Sequence, residues 1–558
     1  MNKPYKNANN HTGKNSTGYV QTITATASYQ NDPLRVYQIL CQQRSNNLLL
    51  ESAEIDKKHL LKSLLLVDAA LKIVCNGNTV TFTALSQNGE NALAFAQQQL
   101  TEQAKLHSTA KQLTATFPEV DHDLDENSRL KATNAFQALR LFNQLNNSDQ
   151  HPFSVFLGGV FAFDMMSVSE QLPQVPNGEN TCPDFVYYLA ETLVVIDHEK
   201  QCSEVIGNSF TLNKNLSSSQ AIQQRVHEIK QLLGTTINTI EQQFDSLVNT
   251  QASDTEIEVS VDISDKKYCA IVEQLKENIR AGDIFQVVPS RTFSLPCADP
   301  IAAYQALKLS NPSPYMFYLN DSDFCMFGAS PESAIKYQKH TEQGDRQVEI
   351  YPIAGTRPRG FNADGSFSPD LDSRIELDLR LDKKELAEHI MLVDLARNDI
   401  ARVSKAGTRH VADLLKVDRY SHVMHLVSRV CGSLSDDLDA LHAYQACMNM
   451  GTLSGAPKVK ATELIRHVEG KRRGSYGGAV GYITGTGEMD TCIVIRSAFV
   501  KDGIAQVQAG AGVVYDSNPQ AEANETRQKA QAVLSAIQAS AIQTSQQVTI
   551  DQPSKEQN

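Results

Sequence analysis

A chain of 558 residues with 41% hydrophobic content holds enough apolar side chains to fill a sizeable core and more than one structural unit. Its formal charge of −13 excludes the basic face on which general nucleic-acid binders rely. Ten cysteines are scattered singly, with no C-x-x-C pair and no Cys/His cluster at zinc-finger spacing, so they read as reduced thiols of a cytoplasmic protein.

Residues 1–20 are polar and Asn-rich without an apolar segment, which reads as a tail and not as a signal peptide. SVFLGGVFAF is too short to span a bilayer, so no membrane association is expected. Residues 21–256 read as a first α/β region with strand-like runs LLLESAEI, KIVCNGNTVTFTAL and FVYYLAETLVVID, the second turning at Asn76-Gly77-Asn78 as a hairpin does. RLKATNAFQALRLFNQL carries a helical pattern, and the polar run Glu241 to Glu256 reads as a linker.

A second region spans 257–540, followed by a polar tail over 541–558. It opens with a helix in which Tyr268, Ile271, Leu275 and Ile279 keep helical spacing until Gly282 stops it. FQVVPSRTFSL reads as a strand, and the two prolines of NPSPYMFYL fix a stiff loop presenting Tyr315 and Met316. Strands and helices alternate without a βαβ rhythm. The expected fold class is therefore α+β, with antiparallel β-sheets flanked by helices.

ELAEHIMLVDLARNDIARV, Glu385 to Val403, has apolar residues on more than one stripe and predicts a helix largely surrounded by protein. Glu388, Asp399 and Arg402 project from it into apolar surroundings, where a carboxylate needs a cation, a donor or a proton. They fit either an internal ion-pair network or a bound cation. Glu525, in the opening turns of a second helix, adds another carboxylate, and a pair of glutamates with water suits Mg²⁺.

Two Gly-rich stretches do not qualify as nucleotide loops. Gly510-Ala511-Gly512 has Tyr515 at the third glycine position of a dinucleotide fingerprint, and GTLSGAPK has Pro457 and Val459 where a phosphate loop needs glycine and a hydroxyl. No G-x-S-x-G or H-E-x-x-H occurs. What remains suits a small polyanion: Gly477, Gly478, Gly510 and Gly512 allow close backbone approach, and Arg496 in the apolar strand CIVIRSAF requires an anion, either a ligand or one of the chain's own acids. Lys529, one turn after Glu525, pairs with that glutamate or joins the anion site. His425 sits in an apolar run and is either a core histidine or a catalytic one.

The motifs PIAGTRPRG, EHIMLVDLARND, VMHLVSRV, MGTLSGAPK, RRGSYGGAVGY, DTCIVIRSA, QAGAGVV and NETRQKA follow one another in an order that resembles the chorismate-utilising enzymes, in particular their anthranilate-forming branch, over Asn47 to Ala536. The resemblance implies a lyase that joins chorismate and ammonia to give anthranilate and pyruvate for tryptophan biosynthesis. It implies that Glu388 and Glu525 bind Mg²⁺ and that Gly355, Thr356, Tyr476, Arg496, Gly510, Ala511, Gly512 and Lys529 hold chorismate. His425, Glu332 and Thr452 match its catalytic positions. Tryptophan feedback is implied at Glu51, Ser52, Asn311, Pro314, Tyr315, Met316, Phe317, Gly328 and Cys492. An indole lying against Met316 and Tyr315 is the expected arrangement.

A glutaminase subunit, with two copies of each chain, is the implied partner, because no cysteine here sits in a glutaminase elbow. Related reactions stay open. Aminodeoxychorismate synthases commonly carry a lysine where this chain has Ala354, and the water-adding isochorismate and salicylate synthases one where it has Gln286, so both departures favour ammonia addition. A non-catalytic tryptophan-binding regulator is the alternative from another class.

Overall fold

The structure, a computed structural model, describes residues 18–550 apart from 42, 53–61, 148–150, 213–219, 236–257, 342–343, 363 and 421–422. The Glu241 to Glu256 run and the end of LLLESAEI therefore lie outside the described residues. Twenty-three strands among the described residues form one hydrogen-bonded network, antiparallel except where Tyr19–Val20 runs beside Asn146–Asn147. The mixed α/β architecture with antiparallel sheet and flanking helices is the expected one.

Local sequence explains several elements directly. Strands Lys62–Asn76 and Thr79–Ala84 pair with Asn76 opposite Thr79, and Gly77 at φ 61° supplies the left-handed turn. In Phe185–Asp197, Phe185, Tyr187 and Leu189 enter one core while Val186, Tyr188 and Ala190 enter another. Burial on both faces is why this strand reads as a nearly unbroken apolar run. Helix Asp265–Ala281 is capped by the Ser264 side chain and ends at Gly282, whose φ is 82°.

Strands from the two halves of the sequence pair with each other. Asn47–Glu51 lies antiparallel to Tyr315–Asn320 with Glu51 opposite Met316, and Phe156–Phe161 lies antiparallel to Ala479–Thr484. Phe156 stacks on Tyr482 at 5.3 Å across that second junction.

The structure corrects five expectations. RLKATNAFQALRLFNQL is not one helix: Glu126–Leu130 and Gln137–Arg140 are separate, because Asn134 Oδ1 accepts from the Phe136 N–H and breaks the ladder. FQVVPSRTFSL divides into Gln286–Val287 and Ser290–Pro296 around Pro289. NPSPYMF does not present Tyr315 and Met316 together, since both belong to strand Tyr315–Asn320 and consecutive strand residues face opposite ways. CIVIRSAF is not continuous either: strands Met489–Ile493 and Ser497–Lys501 are separated by a turn in which Arg496 adopts φ 50°. Helix Lys383–Val403 has one buried stripe and not an all-round apolar surface, for Ile390 is 45% exposed on the same outer face as Asp394 and Arg397.

Candidate active site

Helices Lys383–Val403 and Pro519–Ile550 and strands Ile353–Pro358, Val423–Ser433 and Ile504–Gly510 enclose a cavity of about 860 Å³. Helical spacing of four explains the fate of the acids on the first of these helices. Glu388 and Leu392 reach the cavity, while Asp399, just over three turns beyond Glu388, lies past its end and pairs with Lys458 Nζ at 2.6 Å. Arg402 donates to the Ala446 carbonyl and pairs with Glu126 at 2.6 Å. For Asp399 and Arg402 the ion-pair reading holds. Glu388 has no cation within salt-bridge distance among the described residues.

Glu388 Oε1 accepts only a long contact from Gln286 Nε2, 3.4 Å. Burial raises its pKa, and the charges of Glu385 and Glu525 raise it further. Glu525 pairs with Lys529 Nζ at 2.7 Å, and Glu522 is also raised by burial. Both helices thus carry E-x-x-E, Glu385/Glu388 and Glu522/Glu525, and all four side chains line the cavity. That spacing was a legible signal for Glu385 and Glu522, because residues three apart share a helix face. Among the described residues no three acidic, His or Cys side chains converge as a closed metal cage. An oxygen-rich, carboxylate-lined wall in which the half-buried Glu388 has no ion pair among the described residues nevertheless fits a hard, partly hydrated cation bound by few protein ligands.

In the same cavity, burial pushes the Glu332 carboxyl up to about 8, partly offset by a hydrogen bond that Thr452 Oγ1 donates to Glu332 Oε1 at 3.0 Å. Glu332 is thus protonated at neutral pH and able to donate. Burial brings His425 down to about 4, with the Arg496 charge adding to the effect, so its imidazole is neutral. Its Nδ1 lies 3.0 Å from Thr356 Oγ1 and 3.3 Å from the Gly355 carbonyl, which can only accept. A proton on Nδ1 serves that carbonyl and leaves the Nε2 lone pair as a base.

Arg496 also lines the cavity. Its Nη1 donates to the Lys529 carbonyl at 2.6 Å, and no carboxylate pairs with it among the described residues. Burial lowers its pKa, as expected for a guanidinium lacking a close anion. Lys529 Nζ donates to the Gly510 carbonyl at 3.1 Å as well as pairing with Glu525. A side chain on Gly510 would meet the Pro289 carbonyl at 2.8 Å, so that position requires glycine for space, whereas one on Gly512 would meet only the movable end of Gln286, Nε2 at 2.8 Å.

Of the predicted anion-binding residues, Gly355, Thr356, Tyr476, Arg496, Gly510, Gly512 and Lys529 meet at this cavity. Ala511 does not line it, because its N–H turns to the Pro289 carbonyl at 3.3 Å. The N–H groups of Gly477 and Gly478 serve the carbonyls of Val494 and Ser475, so they are not anion donors. Gln286, noted from the sequence only as a discriminating position, lines the cavity with a buried Oε1 that has no partner among the described residues.

The predicted tryptophan residues divide. Asn311 and Pro314 line the same large cavity. Met316 enters the core that holds Tyr37 and Tyr304, and Glu51 on that face accepts from Tyr304 Oη at 2.6 Å and Lys308 Nζ at 2.5 Å. Tyr315, Phe317 and Cys492 belong to the opposite face, where Gly328 lies across from Phe317. Ser52 follows directly on the Asn47–Glu51 strand. Tyr315 and Met316 therefore cannot both contact one indole from a single side of the sheet.

Comparison with known proteins agrees with this geometry. The sequence profile of the chorismate binding enzymes matches residues 90–535. Anthranilate synthase component 1 of Vibrio cholerae is 57% identical over 522 residues, 93% of this chain and 97% of that protein. The Escherichia coli protein of the same name is 54% identical over 526 residues, covering 93% and 97%. The crystal structure of anthranilate synthase component I from Streptococcus pneumoniae superposes with a TM-score of 0.64 at 29% identity, covering 85% of this chain and 92% of that one. The menaquinone-specific isochorismate synthase from Escherichia coli, at 16% identity and a TM-score of 0.61 over 93% and 95% of the two chains, shares the fold. An acid and a base of opposite pKa shift, an unpaired guanidinium and a carboxylate-lined wall meet within the region matched by that profile, and the chain belongs to the chorismate binding enzymes.

Proposed function

We propose that this chain is the chorismate-converting subunit of an anthranilate synthase, acting at the start of tryptophan biosynthesis. The observation that carries the reading is the shared cavity of protonated Glu332, neutral His425 and Arg496, which has no carboxylate partner among the described residues. Arg496 holds one substrate carboxylate, and Lys529 and Tyr476 border the same anion. Glu388 and Glu525 hold Mg²⁺, which when bound neutralises the second substrate carboxylate.

Ammonia adds at ring C2 as the C4 hydroxyl departs as water with the Glu332 proton. Thr452 holds that carboxyl in place. The ammonium group formed at C2 gives up one proton. His425 Nε2 then removes the C2 proton as the C3–O bond breaks, the ring becomes aromatic, and the expelled enolpyruvate takes up a proton to become pyruvate. Gln286 and Ala354, where related enzymes that add water or use a covalent lysine step carry lysine, support ammonia as the nucleophile.

The ammonia comes from a separate glutaminase subunit, in a complex with two copies of each chain in the cytoplasm. Supporting this, burial raises eight of the ten thiols, Cys431 to about 11 among them, which disfavours a glutamine-attacking thiolate. No helix among the described residues is long and apolar enough to cross a membrane. Tryptophan inhibits from the junction of strands Asn47–Glu51 and Tyr315–Asn320, where the region of residues 21–256 meets the catalytic region of 257–540. Its effect requires unequal affinity for two arrangements of that junction.

The test is direct. Purified chain with chorismate, Mg²⁺ and ammonium should release fluorescent anthranilate, whereas glutamine in place of ammonium should give none without a partner. Isochorismate or aminodeoxychorismate as the sole product would refute the assignment.

A further inference from the structure

A second, much smaller cavity lies behind the catalytic acid. It measures about 20 Å³, enough for one water molecule, which needs roughly 10–15 Å³. Glu332, Leu392 and Thr452 line both cavities, so these three side chains form the partition. The rest of the lining is mostly apolar, from Ile350, Pro352, Leu395, Ala396 and Met450, joined by the polar side chains of Ser333 and Asp399. Asp399 is held there by Lys458, whose Nζ also donates to the Cys447 carbonyl at 2.6 Å. Side-chain exposure of 8% for Asp399 and 9% for Lys458 gives this pair a narrow contact with solvent.

We propose that this rear cavity seats one water molecule that returns protons to Glu332 from the Asp399–Lys458 pair. The inference rests on Glu332 being the acid of the proposed reaction. In each turnover the carboxyl gives its proton to the departing C4 oxygen, which leaves as water, and Glu332 is left as a carboxylate. Substrate then fills the front cavity, so recharging from that side must await product release. Through the rear, the water passes one proton to Glu332 as it takes one from the Asp399 carboxyl, Asp399 takes that proton from Lys458 Nζ, 2.6 Å away, and Lys458 regains it from solvent. No proton is gained or lost overall. Apolar walls suit this task because they hold a single water without offering it competing partners, while Glu332, Thr452 and Asp399 supply the polar contacts that a buried water needs. Asp399 is on this account a positioning and relay residue.

The test uses variants that fill the cavity from two sides, Ala396→Val and Leu395→Phe, together with Asp399→Asn, each checked for folding by circular dichroism and thermal melting. With ammonium as nitrogen source, kcat should fall about tenfold while the KM for chorismate stays within about twofold, a split that a general loss of structure does not produce. The solvent deuterium isotope effect on kcat should rise, because proton return becomes limiting, and Asp399→Glu should restore part of kcat. Folded variants with parental kcat and isotope effect would overturn the relay. A raised KM for ammonium with unchanged kcat would also overturn it and assign the cavity to the nucleophile. Glu332→Gln separates the two levels: if it retains full activity, the acid assignment itself fails, whereas an inactive Glu332→Gln beside unaffected cavity variants removes only the relay.

Discussion

The hydroxyl of Thr452 donates to Glu332 Oε1 at 3.0 Å, and it is the principal contact that opposes the effect of burial on that carboxyl. Its removal in Thr452→Val should raise the Glu332 pKa further. Catalysis that needs the protonated acid is lost as pH rises through about 8, so the alkaline limb of kcat/KM should lie near that value in the parent and move upward in the variant. A limb that stays in place or moves down contradicts the assignment.

Glu332 also links stability to pH. Its pKa is about 8 in the folded chain against an ordinary 4.5, so between those values the folded state binds the extra proton and stability decreases as pH rises. Glu332→Gln, which stays neutral, should lose less stability than the parent between these limits while losing turnover by about a hundredfold or more. Denaturant unfolding across that pH range provides the comparison. Parallel stability curves for the two proteins would argue against a raised carboxyl.

The carboxylate wall predicts metal dependence with distinct contributions. Glu388 has no ion pair among the described residues and burial disfavours its charge, so Glu388→Gln removes an unfavourable charge as well as a ligand, whereas Glu525→Gln also releases Lys529. Both variants should lose Mg²⁺-dependent activity by about a hundredfold or more while the apo form of Glu388→Gln melts no lower than apo parent. Calorimetry with Mg²⁺ alone should show weakened binding in each. Parental binding in both variants, or full activity in excess chelator, would exclude this wall as the metal site.

For Arg496, a residue with left-handed backbone that lines the cavity, the bond from Nη1 to the Lys529 carbonyl anchors one arm of the guanidinium. Arg496→Lys keeps the charge but loses the fork. It should raise the KM for chorismate about tenfold or more, the cost of a bidentate, charge-assisted contact. An unchanged KM would mean that the substrate carboxylate binds elsewhere.

Tryptophan control should respond unequally at neighbouring positions. Ser52→Phe should leave uninhibited activity largely intact and raise the tryptophan concentration needed for half-inhibition. Met316→Thr, by contrast, truncates a side chain 1% exposed and introduces a buried hydroxyl, at a cost of about 2–5 kcal/mol. Its melting temperature should fall whether or not tryptophan sensitivity changes. A Ser52→Phe enzyme as sensitive as the parent would remove the strand junction from the regulatory reading.

The sequence by itself determined what depends on local periodicity and on the order of motifs. The Asn76–Gly77–Asn78 hairpin, the Gly282 helix stop and the two helices bearing Glu388 and Glu525 were legible because 2.0 and 3.6 residue repeats and left-handed glycines are properties of neighbouring residues. Tertiary structure decided which charges were compensated. Glu388 and Asp399 lie on one helix, yet only the latter meets a lysine, contributed by a segment 59 residues away. It also decided which glycine N–H groups were already occupied, and why Arg496 sits in a turn and not on a strand. These outcomes depend on partners distant in the chain, and burial converts their presence or absence into the opposite pKa shifts of Glu332 and His425.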